Sequence, residues 1–302
     1  MPPRQLLKTA VEQGLLRSGL AGIASRLRRS DTLILAYHNV VPDGERVVGD
    51  SSLHLPRAAF AAQLDALMEV AEVISLDAAL SGGAAGGRPG VAITFDDAYR
   101  GSVIAGVEEL VKRGLPATIF VPPALLNDGV FWWDALTPEG TPGLAPEVRD
   151  DALLRMAGKG KEILAAHGCD DTSHIPSYAR GASEAELRAA AERPGITVAS
   201  HTWSHPNLAA LSAGELEDEL VRPLAWLRER FSGVLPFISY PYGHYSPAVE
   251  RAAAAAGYSA ALRIEGGWLR EGASDRYGIP RLNIPAGLSN AGFRLRCSGL
   301  LG

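Results

Sequence analysis

From Thr32 onward, short apolar runs alternate with longer stretches in which apolar residues recur every three or four positions. Thr32-Leu-Ile-Leu-Ala-Tyr37 carries no charge, and a continuous run of this length predicts a strand buried on both faces. Over Pro56–Val70 the period changes. Phe60, Leu64, Leu67 and Met68 share one helical face there, with proline near the first turn. Further strands are predicted at Glu72–Ser75, Val91–Phe95, Ala117–Val121, Ile196–Ala199 and Phe237–Tyr240, with two more near 259–263 and 279–284. Helices fill the gaps. One runs through Val103, Ile104, Val107, Leu110 and Val111 and stops at Gly114, a natural C′ residue. Others are predicted near 147–167, at 183–192 behind the capping box Ser183-x-x-Glu186, and over Pro247–Ala256. A further one runs from Ser212-x-x-Glu215 to about Phe231, with a kink at Pro223.

About seven strands alternating with helices predict a parallel sheet with helices outside it. In a chain of 302 residues the fold class expected is α/β, a distorted (β/α) barrel that is closed or nearly so. Residues 31–302 show no internal repeat and no second hydrophobic domain. Residues 122–195 are less regular. They contain Phe131-Trp132-Trp133-Asp134 and a Pro/Gly-rich stretch, Thr137–Pro146, and read as a partly helical insertion. Ser81–Gly90 is glycine-rich but lacks the strand–turn–helix context of a nucleotide fingerprint, so it reads as a surface loop.

Residues 1–30 stand apart as a basic segment. Leu16, Leu20, Ile23 and Leu27 form one stripe on a helical wheel, with Arg17, Arg26, Arg28 and Arg29 off it. The formal net charge of −5 divides into +5 on these thirty residues and −10 on the remainder. Two readings stand: a basic amphipathic helix lying on an anionic membrane surface, or a helix packed on the domain with solvated arginines. Net acidity argues against nucleic acid as the main partner. At 47% hydrophobic and 21% charged, the composition is that of an ordinary globular chain. No run reaches the ~18 apolar residues of a membrane span. Arg17 and the glycines around it interrupt any secretory apolar core. The expectation is a cytoplasmic protein, with peripheral contact at the inner membrane face through residues 1–30. Cys169 and Cys297 form no Cys-x-x-Cys pair, so a Cys-based zinc site is excluded and both read as free thiols.

In parallel α/β folds, sites assemble at the C-terminal ends of strands. Four unusual clusters fall at such ends: Tyr37-His38-Asn39-Val40, Thr94-Phe95-Asp96-Asp97, Ser200-His201-Thr202-Trp203-Ser204-His205 and Ser239-Tyr240-Pro241-Tyr242-Gly243. Adjacent carboxylates raise each other's pKa unless a cation lies beside them. His201 and His205, four residues apart, are able to face one point. Two His and one Asp hold a divalent metal with positions open for water and substrate, leaving the second Asp free as general base. Alone, His-x-x-x-His is commonly structural and Asp-Asp is a common helix cap. Their joint occurrence at strand ends weighs strongly against both of those readings.

Thr-Phe-Asp-Asp, then His-x-x-x-His, then Tyr-Pro-Tyr-Gly resembles the NodB-type polysaccharide deacetylases, carbohydrate esterase family 4. The resemblance spans roughly Asp31 to Pro285. It implies Asp96 as general base and Asp97, His201 and His205 as ligands of a divalent metal, zinc in most relatives. It also implies the backbone N–H of Tyr242 as a donor to the oxyanion, and an N-acetylated glycan or a lipid-linked sugar as substrate. Two departures matter. Relatives often carry Arg two residues before the proline of the third motif, where this chain has Ser239. Arg281 is then either the substitute or a surface charge. The late Leu-x-His that supplies the general acid in many relatives is missing. Poly-N-acetylglucosamine deacetylases instead take a His from an early strand, which His38 matches, with His244 as second choice. Trp132 and Trp133 either stack on sugar, Trp133 foremost, or pack the insertion on the barrel. His54, His167 and His174 have no motif support and read as surface groups. The function expected is metal-dependent release of acetate from N-acetyl groups. The alternatives are hydrolysis of a small amide or imide on the same fold, or a catalytically silent sugar-binding module.

Overall fold

The computed structural model describes residues 3–83 and 87–301, with side chains from residue 10 onward. The strands are β1 (Thr32–Tyr37), β2 (Asn39–Val41), β3 (His54–Pro56), β4 (Glu72–Val73), β5 (Gly90–Phe95), β6 (Ala117–Val121), β7 (Ile196–Ser200), β8 (Val234–Ser239), β9 (Ala260–Gly266), β10 (Trp268–Leu269) and β11 (Ile279–Asn283). The helices up to the insertion are α1 (Pro3–Arg17), α2 (Leu20–Leu27), α3 (Arg57–Val70), α4 (Leu76–Ser81) and α5 (Val107–Arg113). The insertion adds α6 (Trp132–Leu136), α7 (Pro146–Leu154), α8 (Gly160–Ala166) and α9 (Glu184–Ala191). The chain ends with α10 (Ala213–Arg230), α11 (Pro247–Ala255) and α12 (Asn290–Cys297).

The sheet runs β10-β1-β11-β9-β8-β7-β6-β5-β4, and β1 also pairs with β5. That pairing closes β1, β11, β9, β8, β7, β6 and β5 into a seven-strand, all-parallel barrel, as the alternation of elements implies. Continuous apolar strands are what such a barrel requires, because both faces are covered. β1, β5 and β6 are buried at every position. Leu33, Leu35, Val91, Ile93, Ile119 and Val198 face the outer helices in one cluster, while Ile34, Ala92, Phe120, Ala199, Phe237, Ala260, Leu262 and Ile279 form another inside the barrel. Leu76, Ala79 and Leu80 of α4 join the inner cluster and stop the barrel at its N-terminal end.

Several local expectations are corrected. Glu72–Ser75 gives only the two-residue β4 before Ser75, whose hydroxyl caps α4. Met68 is 42% exposed, so the buried face of α3 is Phe60, Leu64 and Leu67. α10 runs to Arg230 with Pro223 inside it, the span expected. The helix expected over 147–167 is two helices, interrupted between Leu154 and Gly160. The helix through Val103 opens with a π-helical turn, Ser102–Gly106, and ends at Gly114 in left-handed geometry as expected (φ 66°). The glycine-rich stretch Ser81–Gly90 falls partly outside the described residues. The stripe Leu16–Leu27 is divided by Gly19 (φ 78°). Leu20, Ile23 and Leu27 are exposed, so packing on the domain does not account for them.

Candidate active site

Strand period places the chemistry. In a strand, every second side chain faces the barrel interior. The inward rows Ile34–Ala36, Ala92–Thr94, Thr197–Ala199 and Phe237 continue, two residues at a time, to His38, Asp96, His201 and Ser239, and Ile279 continues to Arg281. Backbone ladders extend past the strand ends to hold these residues: Asp96 N–H donates to Tyr37 C=O (2.9 Å), His201 N–H to Val121 C=O (2.9 Å), and Tyr240 N–H to Leu262 C=O (3.0 Å). Beyond them the backbone becomes strained. Asp97, Ala98, Thr202, His205 and Tyr242 all adopt positive φ, at 72°, 52°, 66°, 64° and 58°. Each such residue costs about 1–3 kcal/mol, and strain of this kind collects where function fixes a geometry.

Asp97, His201 and His205, all buried, bring one ligand atom each to a common point. His205 Nε2 lies 3.1 Å from Asp97 Oδ1 and 3.1 Å from His201 Nε2, and His201 Nε2 lies 3.5 Å from Asp97 Oδ1. Ligands at ~2.0–2.1 Å from a tetrahedral ion stand roughly 3.3 Å from one another, so the triangle has the dimensions of a coordination face. Asp97 Oδ1 is buried with no aligned hydrogen-bond donor, an oxygen left for a cation. The ring N–H at Nδ1 of His201 donates to Ser239 C=O (2.8 Å), which keeps Nε2 as the free ligand atom. Burial pushes the Asp97 carboxyl up, but the His205 and His201 charges hold it well below the usual carboxylate range. The donor set fits a divalent metal.

Asp96 is held differently. Arg281 is wholly buried, and each of its five N–H donors is used. Nη1 reaches Asp96 Oδ1 (2.8 Å) and Thr94 Oγ1 (3.1 Å); Nη2 reaches Asp96 Oδ2 (2.7 Å) and Ser239 Oγ (2.7 Å); Nε reaches Arg263 C=O (2.6 Å). Of the two readings of Arg281, the surface charge is therefore excluded. Ser239, small and hydroxylic, leaves room for the guanidinium and also donates to Asp96 Oδ2 (3.2 Å). Burial raises the Asp96 carboxyl, but Arg281, then His201, outweigh it and bring the pKa down to about 2. Asp96 Oδ2 stands 3.9 Å from His201 Nε2, beside the metal-ligand face.

A cavity of about 190 Å³ opens over these groups, lined by His38, Asp96, Asp97, Trp133, His201, His205, Tyr240 and Tyr242 among others. That is smaller than the ~300–1,000 Å³ of typical small-molecule sites and suits one substituent with the ring that bears it. His38 lines it and His244 does not. Burial lowers the His38 pKa against the opposing pull of Asp97 and Asp96. Trp132 and Trp133 are buried, not exposed platforms. Trp133 nevertheless forms a wall, its ring 5.0 Å from that of His205 and 5.8 Å from that of Tyr242, which itself lies 4.6 Å from His205. The Tyr242 hydroxyl accepts from Trp132 Nε1 (2.9 Å) and donates to His205 C=O (3.2 Å).

Three supports escaped the sequence reading. His54 is 1% exposed, which corrects its assignment to the surface. Asn39 Nδ2 donates to its Nδ1 (2.9 Å), so its Nε2–H donates to Asp134 Oδ1 (2.9 Å). Asp134 Oδ2 accepts from the Tyr99 hydroxyl (2.7 Å), which accepts from Trp133 Nε1 (2.9 Å). A buried relay thus fixes the cavity wall. Glu219 of α10 grips the loop between His201 and His205: Oε2 accepts from Trp203 N–H and Ser204 N–H (both 2.8 Å), and Oε1 from Ser204 Oγ (2.6 Å). Arg149, from α7, lines the cavity edge. Only Asp134, next to Trp133, carried a local signal. The other partners lie 15 or more residues away and follow from the fold. His167 and His174 are exposed, as expected.

Residues 83–261 match the model of the family described as polysaccharide deacetylase. No curated protein matches the chain in sequence. Among solved structures, the Streptococcus pyogenes deacetylase PplD in complex with acetate is similar at 18% identity, over 87% of this chain and 96% of that one, with a TM-score of 0.60. IcaB from Ammonifex degensii is similar at 17% identity over 89% and 97%, with a TM-score of 0.61. A de-N-acetylase from Aggregatibacter actinomycetemcomitans is similar at 16% identity over 88% and 99%, with a TM-score of 0.61. At these identities the likeness is one of fold.

Proposed function

The chain belongs to the polysaccharide deacetylase family, and from that membership we propose a division of labour among its residues for hydrolysis of N-acetyl groups on a glycan. Asp97, His201 and His205 would hold a divalent cation, zinc in our proposal, which would supply Lewis-acid polarisation to the acetamide carbonyl and the attacking water. Asp96, kept ionised by Arg281, takes the water's proton as the new C–O bond forms. The backbone N–H of Tyr242 donates to the carbonyl oxygen as its charge develops. His38, on the cavity wall, delivers a proton to the nitrogen as the C–N bond breaks. Acetate and a free amine on the sugar result, and no atom is left over. Trp133 packs against the substrate ring or its acetyl methyl, and the sugar is polymeric or lipid-linked. The observation that carries this reading is a carboxylate ionised by its own arginine, set beside three converging ligand atoms.

The test is acetate release from N-acetylglucosamine oligomers with metal content measured on the same sample. Asp96→Asn is expected to abolish release and retain metal. Wild-type rates in that variant, or a chain that never takes up metal, would overturn the assignment.

A further inference from the structure

Among the described residues, the N-terminal helices contribute nothing to the cavity, yet their surface is unusual. Glu12 is turned inward, 5% exposed, accepting from the Ser289 hydroxyl at the start of α12 (2.6 Å). Arg28 is also turned in, its guanidinium 5.2 Å above the Trp268 ring and 3.3 Å from Asp31 Oδ2. The exposed charges of residues 10–30 are Arg17, Arg26 and Arg29, with Arg28 half-buried. α2 buries none of its residues. Leu20, Ile23 and Leu27, spaced for one helical face, are 45%, 55% and 80% exposed. Single exposed leucines need no explanation, but an unpartnered apolar row flanked by cations does. α1 and α2 lie against α12, from Glu12 at its N-cap to Arg28 near its last turn, so this row lies along the flank of the barrel and away from its mouth.

We infer that the α2 face docks the enzyme on an anionic lipid bilayer. Leu20, Ile23 and Leu27 enter the boundary between headgroups and acyl chains, and Arg17, Arg26 and Arg29 meet the lipid phosphates. Charge complementarity favours this occupant. The remaining 272 residues carry a net −10 and are repelled by an anionic surface, so the basic face sets the orientation of approach. A second copy is disfavoured, because a two-fold contact through this face opposes arginine to arginine. The inference is independent of the catalytic assignment.

The experiment is co-sedimentation of the full chain with vesicles of phosphatidylcholine alone or with roughly 30% phosphatidylglycerol, at about 0.1 M and 0.5 M salt. Wild type is expected to pellet with the anionic vesicles only, and less at high salt. The variant Ile23→Glu/Leu27→Glu is expected to lose roughly tenfold or more of its partitioning. Arg17→Ser/Arg26→Ser/Arg29→Ser is expected to lose the preference for anionic lipid. Both should keep wild-type turnover of a soluble oligomer and an unchanged melting temperature, which shows that they fold. Equal pelleting with both vesicle types, or an unaffected Ile23→Glu/Leu27→Glu variant, overturns the inference. So does light scattering that shows wild-type dimers which this variant dissociates, since the face is then a contact between copies.

Discussion

Arg281→Met removes the guanidinium and keeps much of the side chain's length and bulk inside the barrel. Asp96 then sits buried with its main counter-charge gone. An uncompensated carboxylate in such a place costs about 3–5 kcal/mol. The protein escapes part of that cost by protonating Asp96. In the wild type its pKa is about 2, below the ~3.9 of an unfolded chain, so the ionised Asp96 in its full surroundings, Arg281 and His201 together outweighing burial, contributes about 2–3 kcal/mol at neutral pH. The sign follows: with the folded pKa depressed, this stability is present above the unfolded value and disappears as pH falls toward about 2. In Arg281→Met, burial acts without Arg281 and the pKa rises past the unfolded value. The acid limb of kcat/KM for acetate release should therefore move up by about two units or more, and melting should fall by several degrees at pH 8. Arg281→Lys keeps the charge but loses the five-donor fork and should lie between. The sharpest arm is a double-mutant cycle. Asp96→Asn leaves Arg281 buried and unpaired and should itself destabilise, whereas Arg281→Met/Asp96→Asn removes both charges and should be more stable than either single variant. An acid limb that does not move, or losses of stability that simply add, would refute the claim that Arg281 acts through Asp96.

Other consequences are as specific. Glu219→Ala releases three hydrogen bonds on the loop between His201 and His205; metal affinity, read by competition with a chelator, should drop roughly 10–100-fold with the fold intact. His38→Ala should lower kcat roughly 10²–10⁴-fold, remove the basic limb of the pH profile and leave metal content unchanged; an unchanged limb would take His38 out of the acid role. Tyr99→Phe deletes the hydroxyl that links Trp133 to Asp134. It should loosen the cavity wall and raise KM for oligomers more than it lowers kcat; equal effects on both would point to the metal loop instead.

Much of this was legible in the sequence because strand period and motif position coincide. His38, Asp96, His201 and Ser239 each stand at the inward phase of an apolar run, so a reading that finds the strands also finds what faces the barrel mouth. Arg281 shows where such reading stops. Its position in Ile279-Pro280-Arg281-Leu282 gave it a strand and a phase, but whether it met Asp96 or solvent depended on which strands were neighbours. Closure puts β11 between β1 and β9, so an inward arginine there has only the barrel interior to occupy. The small residues Ala36, Ala92, Ala199 and Ser239 leave it the space, with Phe120 below its guanidinium at 5.5 Å.

The same logic explains what was missed. Glu219 grips the loop between His201 and His205 from a helix whose sequence shows only a solvated acidic face, and His54 meets Asp134 across 80 residues that no local pattern connects. Each is a polar group at a place where the barrel needs a strained or irregular backbone fixed, and an unpaired polar group there would be costly. Ser239 draws the two halves together. Taken alone, a serine where relatives often have arginine reads as decay of the site. Beside Arg281 it reads differently: the guanidinium that binds Asp96 comes from β11, and the small hydroxyl on β8 accepts one of its five hydrogen bonds. On this account Ser239 and Arg281 are coupled. Arg281→Met/Ser239→Arg should therefore recover part of the acid limb lost in Arg281→Met, while Ser239→Arg alone, with two guanidinium groups in a space made for one, should destabilise the barrel.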